Sequence, residues 1–439
     1  KLQMLPKEVV SELLAAYRFL RKTENRIQAL HDQQTHRVPE GEDGLRVARA
    51  MGFNNMPDFQ VALDQTRKSV QHLFEKSLPQ TGDSIDEANP WSAYWQGLRN
   101  NTQSGGTEAP DNKPLSDFAR RLNRLSLSQR ASRRLDQYMP LLLERFDALS
   151  PGDAVINRVL DLVSAICRRS AYLSLLMQNP GASERMLELF TASKRVAEDV
   201  TRYPALLDEL IDPSLGAYPP TRKDIQGGIG RILENTNDTE TALQDLNYFK
   251  RMISLRVAVA VLKSTMSADE ASAALSQLAE NQVQAVLSLS QLEMQTRHGS
   301  LPGPGLAVIA YGSLGSGALG FDSDLDLIFL YQKTDATSDG PRPLPAERYH
   351  TNVARRLLSL LSATTPSGRL YSIDARLRPN GRSGLLVSSV EAFSRYQLEE
   401  AWVWELQALT RARPVAGSEP AAESFSAVRR KVLTTVRDK

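Results

Sequence analysis

The sequence predicts an α+β protein, with a large all-helical N-terminal part followed by a mixed-sheet core and its flanking helices. Apolar residues recur at helical spacing through roughly the first 300 positions. The period changes at Leu301-Pro302-Gly303-Pro304-Gly305, and two compact apolar runs follow at 306–311 and 325–331. These runs are rich in β-branched and aromatic residues, which is typical of buried strands. A third segment, 369–377, alternates apolar and polar residues and predicts another strand.

Three segments make up the predicted helical part. Residues 1–78 carry amphipathic patterns and predict a helical regulatory segment. Residues 79–114 are rich in Pro, Gly and Asn, so we predict an irregular linker there, with its aromatic residues anchored on a helical surface. Residues 115–238 predict a series of helices that break at prolines, among them Pro140.

The catalytic domain is predicted at 239–415, with its core at 305–390, and 416–439 is predicted to be the truncated start of a further helical region. Four helices are expected within this domain, at 239–265, 268–297, 346–364 and 390–413.

Composition excludes several classes of protein. Lys plus Arg number 53 and Asp plus Glu number 51, a formal net charge of +2, so no bulk charge favours nucleic acid or an acidic membrane. No apolar stretch approaches the roughly 18 residues of a transmembrane helix. The single cysteine, Cys167, excludes a disulfide framework and suits a cytoplasmic protein. The chain begins at Lys1 and not at Met, which we interpret as an excised fragment.

Chemistry is indicated where the first strand ends. Gly312-Ser313 follows the first apolar run. Asp324 directly precedes the second apolar run, and Asp326 lies at its start. Two carboxylates two positions apart on an extended chain project to the same side. The segment 315–320 also matches the glycine pattern of a dinucleotide-binding fold, but the next strand begins too soon for the helix which that fold requires.

A third carboxylate completes a metal-dependent nucleotidyltransferase pattern, which implies a DNA polymerase β-like fold. Asp374 lies on the polar side of the third predicted strand, and with Asp324 and Asp326 it predicts a metal and catalytic site. Hard carboxylate oxygens suit Mg²⁺, and Mn²⁺ is the alternative ion. ATP is the expected substrate. Two such ions about 3.5–4 Å apart activate the attacking oxygen and stabilise the leaving one. We expect Asp374 also to help deprotonate the incoming hydroxyl.

Four further residues are predicted to bind the triphosphate. The backbone and hydroxyl at Gly312 and Ser313 are expected to hold β- and γ-phosphate oxygens. Arg376 and Arg378 are expected to neutralise charge that develops toward pyrophosphate.

With these residues the chain resembles the bacterial glutamine synthetase adenylyltransferase family. The motifs that carry the resemblance are Tyr311-Gly312-Ser313-Leu314-Gly315, Ser323-Asp324-Leu325-Asp326-Leu327-Ile328-Phe329, Asp374-Ala375-Arg376-Leu377-Arg378-Pro379 and Glu400-Ala401-Trp402-Val403-Trp404-Glu405. The family turn more often has a glycine where this chain has Ser316, which affects the expected phosphate geometry.

The resemblance implies a function and partners. In this family a C-terminal half moves AMP from ATP to a tyrosine of glutamine synthetase and releases pyrophosphate, while an N-terminal half removes AMP by phosphorolysis, giving ADP. The balance responds to glutamine and to the PII signalling protein. The run at 400–405 is similar to the adenylylating half. The segment 16–21 is similar to the interhalf segment that precedes that half. The deadenylylating half and a non-catalytic docking module remain the alternatives.

Overall fold

The computed structural model describes residues 7–31, 38–39, 41–77, 89–103, 113–236 and 238–435. The predicted helical positions 32–37 and linker positions 79–88 and 104–112 lie outside the described residues, as do 436–439. The chain divides into two units, Lys1–Asp86 and Glu87–Lys439, which are described separately.

The smaller unit is helical, as predicted. Its helices are α1 (Lys7–His31), α2 (Gly41–Ala50) and α3 (Met56–Ser77). They enclose a small core in which Phe59 and Val47 are fully buried. Apolar side chains at helical spacing therefore meet on the inner faces of the helices, which is the arrangement that amphipathic sequence favours.

The larger unit begins with a helical layer. Its elements are α4 (Pro90–Gln103), α5 (Lys113–Asn123), α6 (Gln129–Leu149), α7 (Asp153–Ile166), α8 (Ser170–Gln178), α9 (Pro180–Ala192), α10 (Lys194–Arg202), a 3-10 helix (Pro204–Ile211) and α11 (Arg222–Asn235). One core joins most of these helices, and Leu135, Val159 and Phe190 are among its fully buried side chains.

Two predictions for this layer were wrong. The segment predicted as an irregular linker contains α4, because Asn89 accepts a hydrogen bond from the Trp91 N–H at 2.9 Å and Pro90 suits the first position of a helix. The expected anchoring by aromatic residues is confirmed, since Trp95 is fully buried and its Nε1 donates to Asp136 at 2.9 Å. The second error is Pro140, which lies inside α6 and does not break it.

Seven further helices accompany the sheet among the described residues. They are α12 (Thr239–Leu262), α13 (Ala268–His298), the short turn α14 (Gly312–Gly315), α15 (Ala346–Ser362), α16 (Val390–Glu399), α17 (Val403–Leu409) and α18 (Glu419–Thr434). A 3-10 helix lies at Gly381–Ser383. None of the helices in the described part of the chain is long and apolar enough to cross a membrane.

The sheet is mixed, as predicted. Its strands are β1 (Leu306–Ala310), β2 (Leu325–Tyr331), β5 (Ile373–Asp374), β6 (Val387–Ser389) and β7 (Arg413–Gly417), and a separate hairpin pairs β3 (Thr364–Thr365) with β4 (Gly368–Arg369). The order is β5-β2-β1-β7, and β6 also pairs with β2. β1 is antiparallel to β2 and β7, whereas β2 is parallel to β5 and β6.

Helices cover both faces of this sheet. Side chains of β1 and β2 alternate between a core shared with α12, α13 and α15 and a core shared with α16 and α18. Burial on both faces explains why these strands read as continuous apolar runs. Because β1 and β2 are antiparallel and no full helix connects them, the exclusion of a dinucleotide-binding fold is confirmed.

The end of the predicted domain needs correction. The single helix expected at 390–413 is two helices, and the boundary at 415/416 cuts through β7, which pairs with β1. The helix in the segment after it, α18, packs on the sheet, because Phe425 is fully buried beside Ile309 and Phe393. The strand predicted at 369–377 is also shorter than expected, since only Ile373–Asp374 pairs with β2, while Arg369 belongs to the β3–β4 hairpin.

Candidate active site

Two of the predicted carboxylates are neighbours across the sheet. β2 and β5 are parallel, and Asp326 lies in register with Asp374. The register is fixed by a hydrogen bond of 2.9 Å from the Leu325 N–H to the Ser372 carbonyl oxygen. Asp324 is exposed and lies one residue before β2, so its carboxylate is two positions from Asp326 on the same chain. The fold thus gathers these carboxylates at one strand end.

The pKa of Asp326 shows that these charges interact. Burial raises the pKa of the half-buried Asp326 carboxyl, and the negative charges of Asp374 and Asp324 raise it further. Arg376 acts in the opposite direction. Like charges held close together disfavour ionisation, so the site favours a cation.

The nearest cation is supplied by the chain itself. The Arg376 Nε donates to both carboxylate oxygens of Asp374, at 2.9 and 2.7 Å, and the Arg376 backbone N–H donates to one of them at 2.8 Å. The Arg376 side chain is 63% exposed and that of Asp374 is 21% exposed. An exposed guanidinium therefore neutralises a more deeply placed carboxylate of the site.

The glycine turn approaches one of these carboxylates, Asp326. Gly312 opens α14 with a φ of +56°, and a Cβ at this position would lie 2.2 Å from Oδ2 of Asp326. Only glycine fits both the left-handed backbone and this close approach. The first N–H groups of a helical turn, here those of Gly312 and Ser313, have no partner inside the turn. The turn thus presents backbone donors beside the carboxylate pair.

Two residues that sequence reasoning missed support this turn. The Arg413 guanidinium of β7 donates to the carbonyl oxygens of Leu314 and Gly315, both at 3.0 Å. Glu280 of α13 forms an ion pair with Arg413. Nothing in the local sequence of either residue indicates this contact.

Ser316 fits the turn without strain. Its φ is −81°, and its hydroxyl lies 3.1 Å from the carbonyl oxygens of Gly312 and Ser313. The position that does need glycine is Gly317, where φ is +72°. The serine therefore closes the turn with a side-chain hydrogen bond.

Arg378 has a different environment from the other predicted residues. Its Nη1 donates to the Ala375 carbonyl oxygen at 2.6 Å, and its Nε donates to that of Gly384 at 3.2 Å. These bonds tie together the loop that follows β5. The structure thus places Arg378 as a support of this loop.

A basic cleft that the sequence did not indicate opens beside Asp324. It lies between α10, α12 and the segment from β4 to β5. Its charged lining residues are Arg195, Asp199, Arg202, Lys250, Arg251, Asp322, Asp324 and Arg369. The cleft combines side chains that are up to 174 positions apart, from Arg195 to Arg369, so only the tertiary structure brings them together.

The donor chemistry of the carboxylates fits a hard dication, but the side chains are not arranged as a complete metal site. In the part of the chain that the structure describes, no group of three or more His, Cys, Asp or Glu side chains is gathered to hold a metal. Asp374 is instead engaged by Arg376. A divalent cation would have to compete with this guanidinium.

Comparison with known protein families identifies the chain. A family model described as glutamate-ammonia ligase adenylyltransferase matches residues 183–428. The chain belongs to this family. The matched residues include the carboxylate strands, the glycine turn and the basic cleft. Residues 1–78 match a second model, described as GlnD PII-uridylyltransferase.

Curated relatives of the adenylyltransferase family agree. The chain is 41% identical to a bifunctional glutamine synthetase adenylyltransferase/adenylyl-removing enzyme of Xanthomonas campestris pv. campestris, over 97% of this chain and 46% of the relative. Enzymes of the same name from Pseudomonas putida and Thioalkalivibrio sulfidiphilus are 39% and 37% identical, over 99% and 100% of this chain and 47% and 48% of the relatives. The chain spans about half the length of these relatives, and the predicted family resemblance is confirmed.

Proposed function

We propose that this chain is an adenylyltransferase that moves AMP from ATP to a tyrosine hydroxyl of glutamine synthetase and releases pyrophosphate. The observation that carries the proposal is the register of Asp326 with Asp374, directly beside the Gly312 turn, within the region that matches the family. A strand, a glycine turn and paired carboxylates on adjacent strands support a nucleotidyltransferase fold of the DNA polymerase β type. Regulation of nitrogen assimilation is the process in which this reaction would act.

The carboxylates are assigned to metal binding and proton transfer. Asp324, Asp326 and Asp374 would hold Mg²⁺ or Mn²⁺, which when bound neutralises the triphosphate and activates the acceptor oxygen. The tyrosine oxygen attacks the α-phosphorus, forming one P–O bond while the bond to the β-phosphate oxygen breaks. Asp374 accepts the proton of the hydroxyl, and the bond electrons leave with pyrophosphate.

The remaining site residues are assigned to the phosphates. The N–H groups of Gly312 and Ser313 and the Ser313 hydroxyl would donate to β- and γ-phosphate oxygens. Arg376 neutralises Asp374 in the present structure, and its exposed guanidinium would move to the phosphates once a cation binds Asp374. Arg378 would act by holding the loop that carries Arg376.

The second candidate is removal of AMP from adenylyl-tyrosine. The relatives carry both activities in their name, and this chain spans only about half of their length. In this direction an oxygen of hydrogen phosphate attacks the phosphorus of the bound AMP and the bond to the tyrosine oxygen breaks. The tyrosine oxygen takes up the proton that the phosphate gives up, and ADP is the product. The same carboxylates and turn would serve both reactions.

We propose that regulation by glutamine and by PII acts through the helical parts of the chain. The same helical parts are the proposed docking sites for glutamine synthetase. Support for contact with PII is the match of residues 1–78 to a model described as a PII-uridylyltransferase.

Incubation of the chain with Mg²⁺ and unmodified glutamine synthetase in the presence of α-labelled ATP tests the proposal. Transfer of label with pyrophosphate release supports adenylylation. A parallel incubation with adenylylated glutamine synthetase and inorganic phosphate tests the second candidate, for which ADP is the expected product. Absence of both products would contradict the assignment of catalysis to this chain.

A further inference from the structure

The basic cleft beside Asp324 carries an inference beyond the predicted site. Its walls come from the helical layer and from the sheet domain, both within the larger unit. Asp324 is itself one of the lining residues, so the cleft is continuous with the carboxylate site. A ligand in the cleft would therefore lie next to the proposed reaction centre.

Positive charge in the cleft exceeds negative charge. Arg195 is engaged by Asp322 and lies 3.7 Å from Asp199, so these charges partly cancel. Arg202 and Arg369 are exposed, and neither has an ion pair among the residues that the structure describes. Two guanidinium groups at the rim are thus available to an anion.

The Arg251 guanidinium is committed to the wall of the cleft. Its Nε donates to the Ser367 carbonyl oxygen at 2.6 Å, and its Nη2 donates to the Tyr203 hydroxyl at 2.8 Å. The guanidinium carbon also lies 3.6 Å from the centre of the Tyr203 ring. Gly368 packs so closely that a Cβ there would meet Arg251 Nη2 at 2.2 Å. Arg251 therefore joins the helical layer to the β3–β4 hairpin and adds a fixed positive charge.

Lys250 forms the floor of the cleft. Its Nζ donates to the Leu370 carbonyl oxygen and lies 3.8 Å from the centre of the Tyr371 ring. No carboxylate pairs with it in the described part of the chain. Burial, followed by the charge of Arg251, lowers the pKa of Lys250 to about 7. A partly buried ammonium without a carboxylate partner is costly, and a bound anion would reduce that cost.

We propose that this cleft binds a phosphate-bearing anion, which Lys250 contacts at the floor and Arg202 and Arg369 contact at the rim. The anion is either the phosphate chain of ATP or a separate inorganic phosphate that takes part in the reaction. The first source rests on the proposed function, since it extends the nucleotide site past Asp324. The second source, a separate inorganic phosphate, does not depend on the proposed function and requires only the cleft.

Calorimetric binding of inorganic tripolyphosphate and of Mg²⁺-ATP to the 439-residue chain tests this proposal. We expect Lys250→Met and Arg369→Gln each to weaken tripolyphosphate binding at least tenfold. If the phosphates of ATP occupy the cleft, ATP competes with tripolyphosphate and the same variants weaken ATP binding. If a separate phosphate occupies it, saturating ATP leaves tripolyphosphate affinity unchanged. Either pattern supports the proposal.

Matched controls separate the cleft from general charge effects. Lys263→Met removes an exposed lysine at the end of α12, and Arg222→Gln removes an exposed arginine of α11. Both should bind tripolyphosphate within twofold of the unmodified chain. Because Arg369 is exposed, Arg369→Gln keeps the test valid if Lys250→Met fails to fold. Affinities within twofold of the unmodified chain for Arg369→Gln and Arg202→Gln would overturn the proposal, whatever the outcome of the transfer assay.

Discussion

Asp326 and Asp374 are direct partners in the parallel ladder between β2 and β5, and the Asp326 carboxylate is in close contact with the backbone of Gly312. Three distant parts of the chain therefore meet at one point of the sheet. The two carboxylates repel one another, and the pKa of Asp326 is raised in part for that reason. Such a site gains stability when a cation is bound.

Gly312→Ala should abolish adenylyl transfer. The added Cβ would overlap Oδ2 of Asp326, and alanine at a φ of +56° is strained. We expect a decrease in transfer of at least a hundredfold and a decrease of about 1–3 kcal/mol in the free energy of unfolding. Label transfer and denaturant unfolding measure the two effects. Gly97→Ala is the control because, apart from the adjoining backbone of its own helix, no atom lies within 4 Å of a Cβ there. A Gly312→Ala chain as active as this control would contradict the argument.

Arg376→Gln should decrease transfer about tenfold or more with little effect on stability. The Arg376 guanidinium neutralises Asp374 but is mostly exposed, and water and salt screen exposed ion pairs so that they contribute little to stability. Single-turnover label transfer and thermal unfolding separate these effects. Exposed Arg348 supplies the control Arg348→Gln, which should behave like the unmodified chain. Transfer by Arg376→Gln at the control rate would remove Arg376 from the site.

Trp95→Ala tests whether α4 is part of the folded core. Trp95 is fully buried, and its Nε1 bonds to Asp136. We expect the free energy of unfolding to decrease by about 3–5 kcal/mol. The control Trp404→Ala removes a tryptophan that is 56% exposed and should change stability by no more than about 0.5 kcal/mol. Equal effects of the two substitutions would show that 90–103 behaves as the linker which the sequence predicted.

Anion binding in the cleft should depend on pH through Lys250. A lysine whose pKa is lowered to about 7 loses its positive charge as pH rises through 7, so affinity is highest below that value and falls above it. The charged groups around Lys250 are Arg251 on its own helix and Arg195, Asp199 and Asp322 from the elements packed against it. We expect tripolyphosphate affinity to fall more steeply between pH 6 and 8, roughly the range set by this pKa, in the unmodified chain than in Lys250→Met. Identical pH profiles of the two proteins would contradict this role.

Local patterns were enough to predict the centre of the sheet. β1 and β2 are buried on both faces, so they appear as continuous apolar runs, and Asp374 stood out because its strand alternates apolar and polar residues. The segment of β7 gave no such indication, since it is short and contains Pro414 and Gly417. Proline is tolerated there because β7 lies at the edge of the sheet, which the sequence alone does not reveal.

Contacts between distant segments could not be predicted in the same way. The ion pair of Glu280 with Arg413 spans 133 positions, and the Lys250 bond to Leu370 spans 120. Neither residue type nor local spacing distinguishes these side chains from ordinary surface charges. Asn89-Pro90 illustrates a related limit of prediction from sequence, because the same pair is found both in turns and at helix starts. Here the burial of Trp95 favours the helix.

The most direct test of the account compares Asp326→Asn with Asp335→Asn in the transfer of label from α-labelled ATP to glutamine synthetase. Asp335 is an exposed carboxylate four residues beyond β2 and serves as the matched control. We predict that Asp326→Asn folds normally and transfers no label, whereas Asp335→Asn transfers label at the rate of the unmodified chain. Transfer at the unmodified rate by Asp326→Asn would contradict the assignment of catalysis to this carboxylate site.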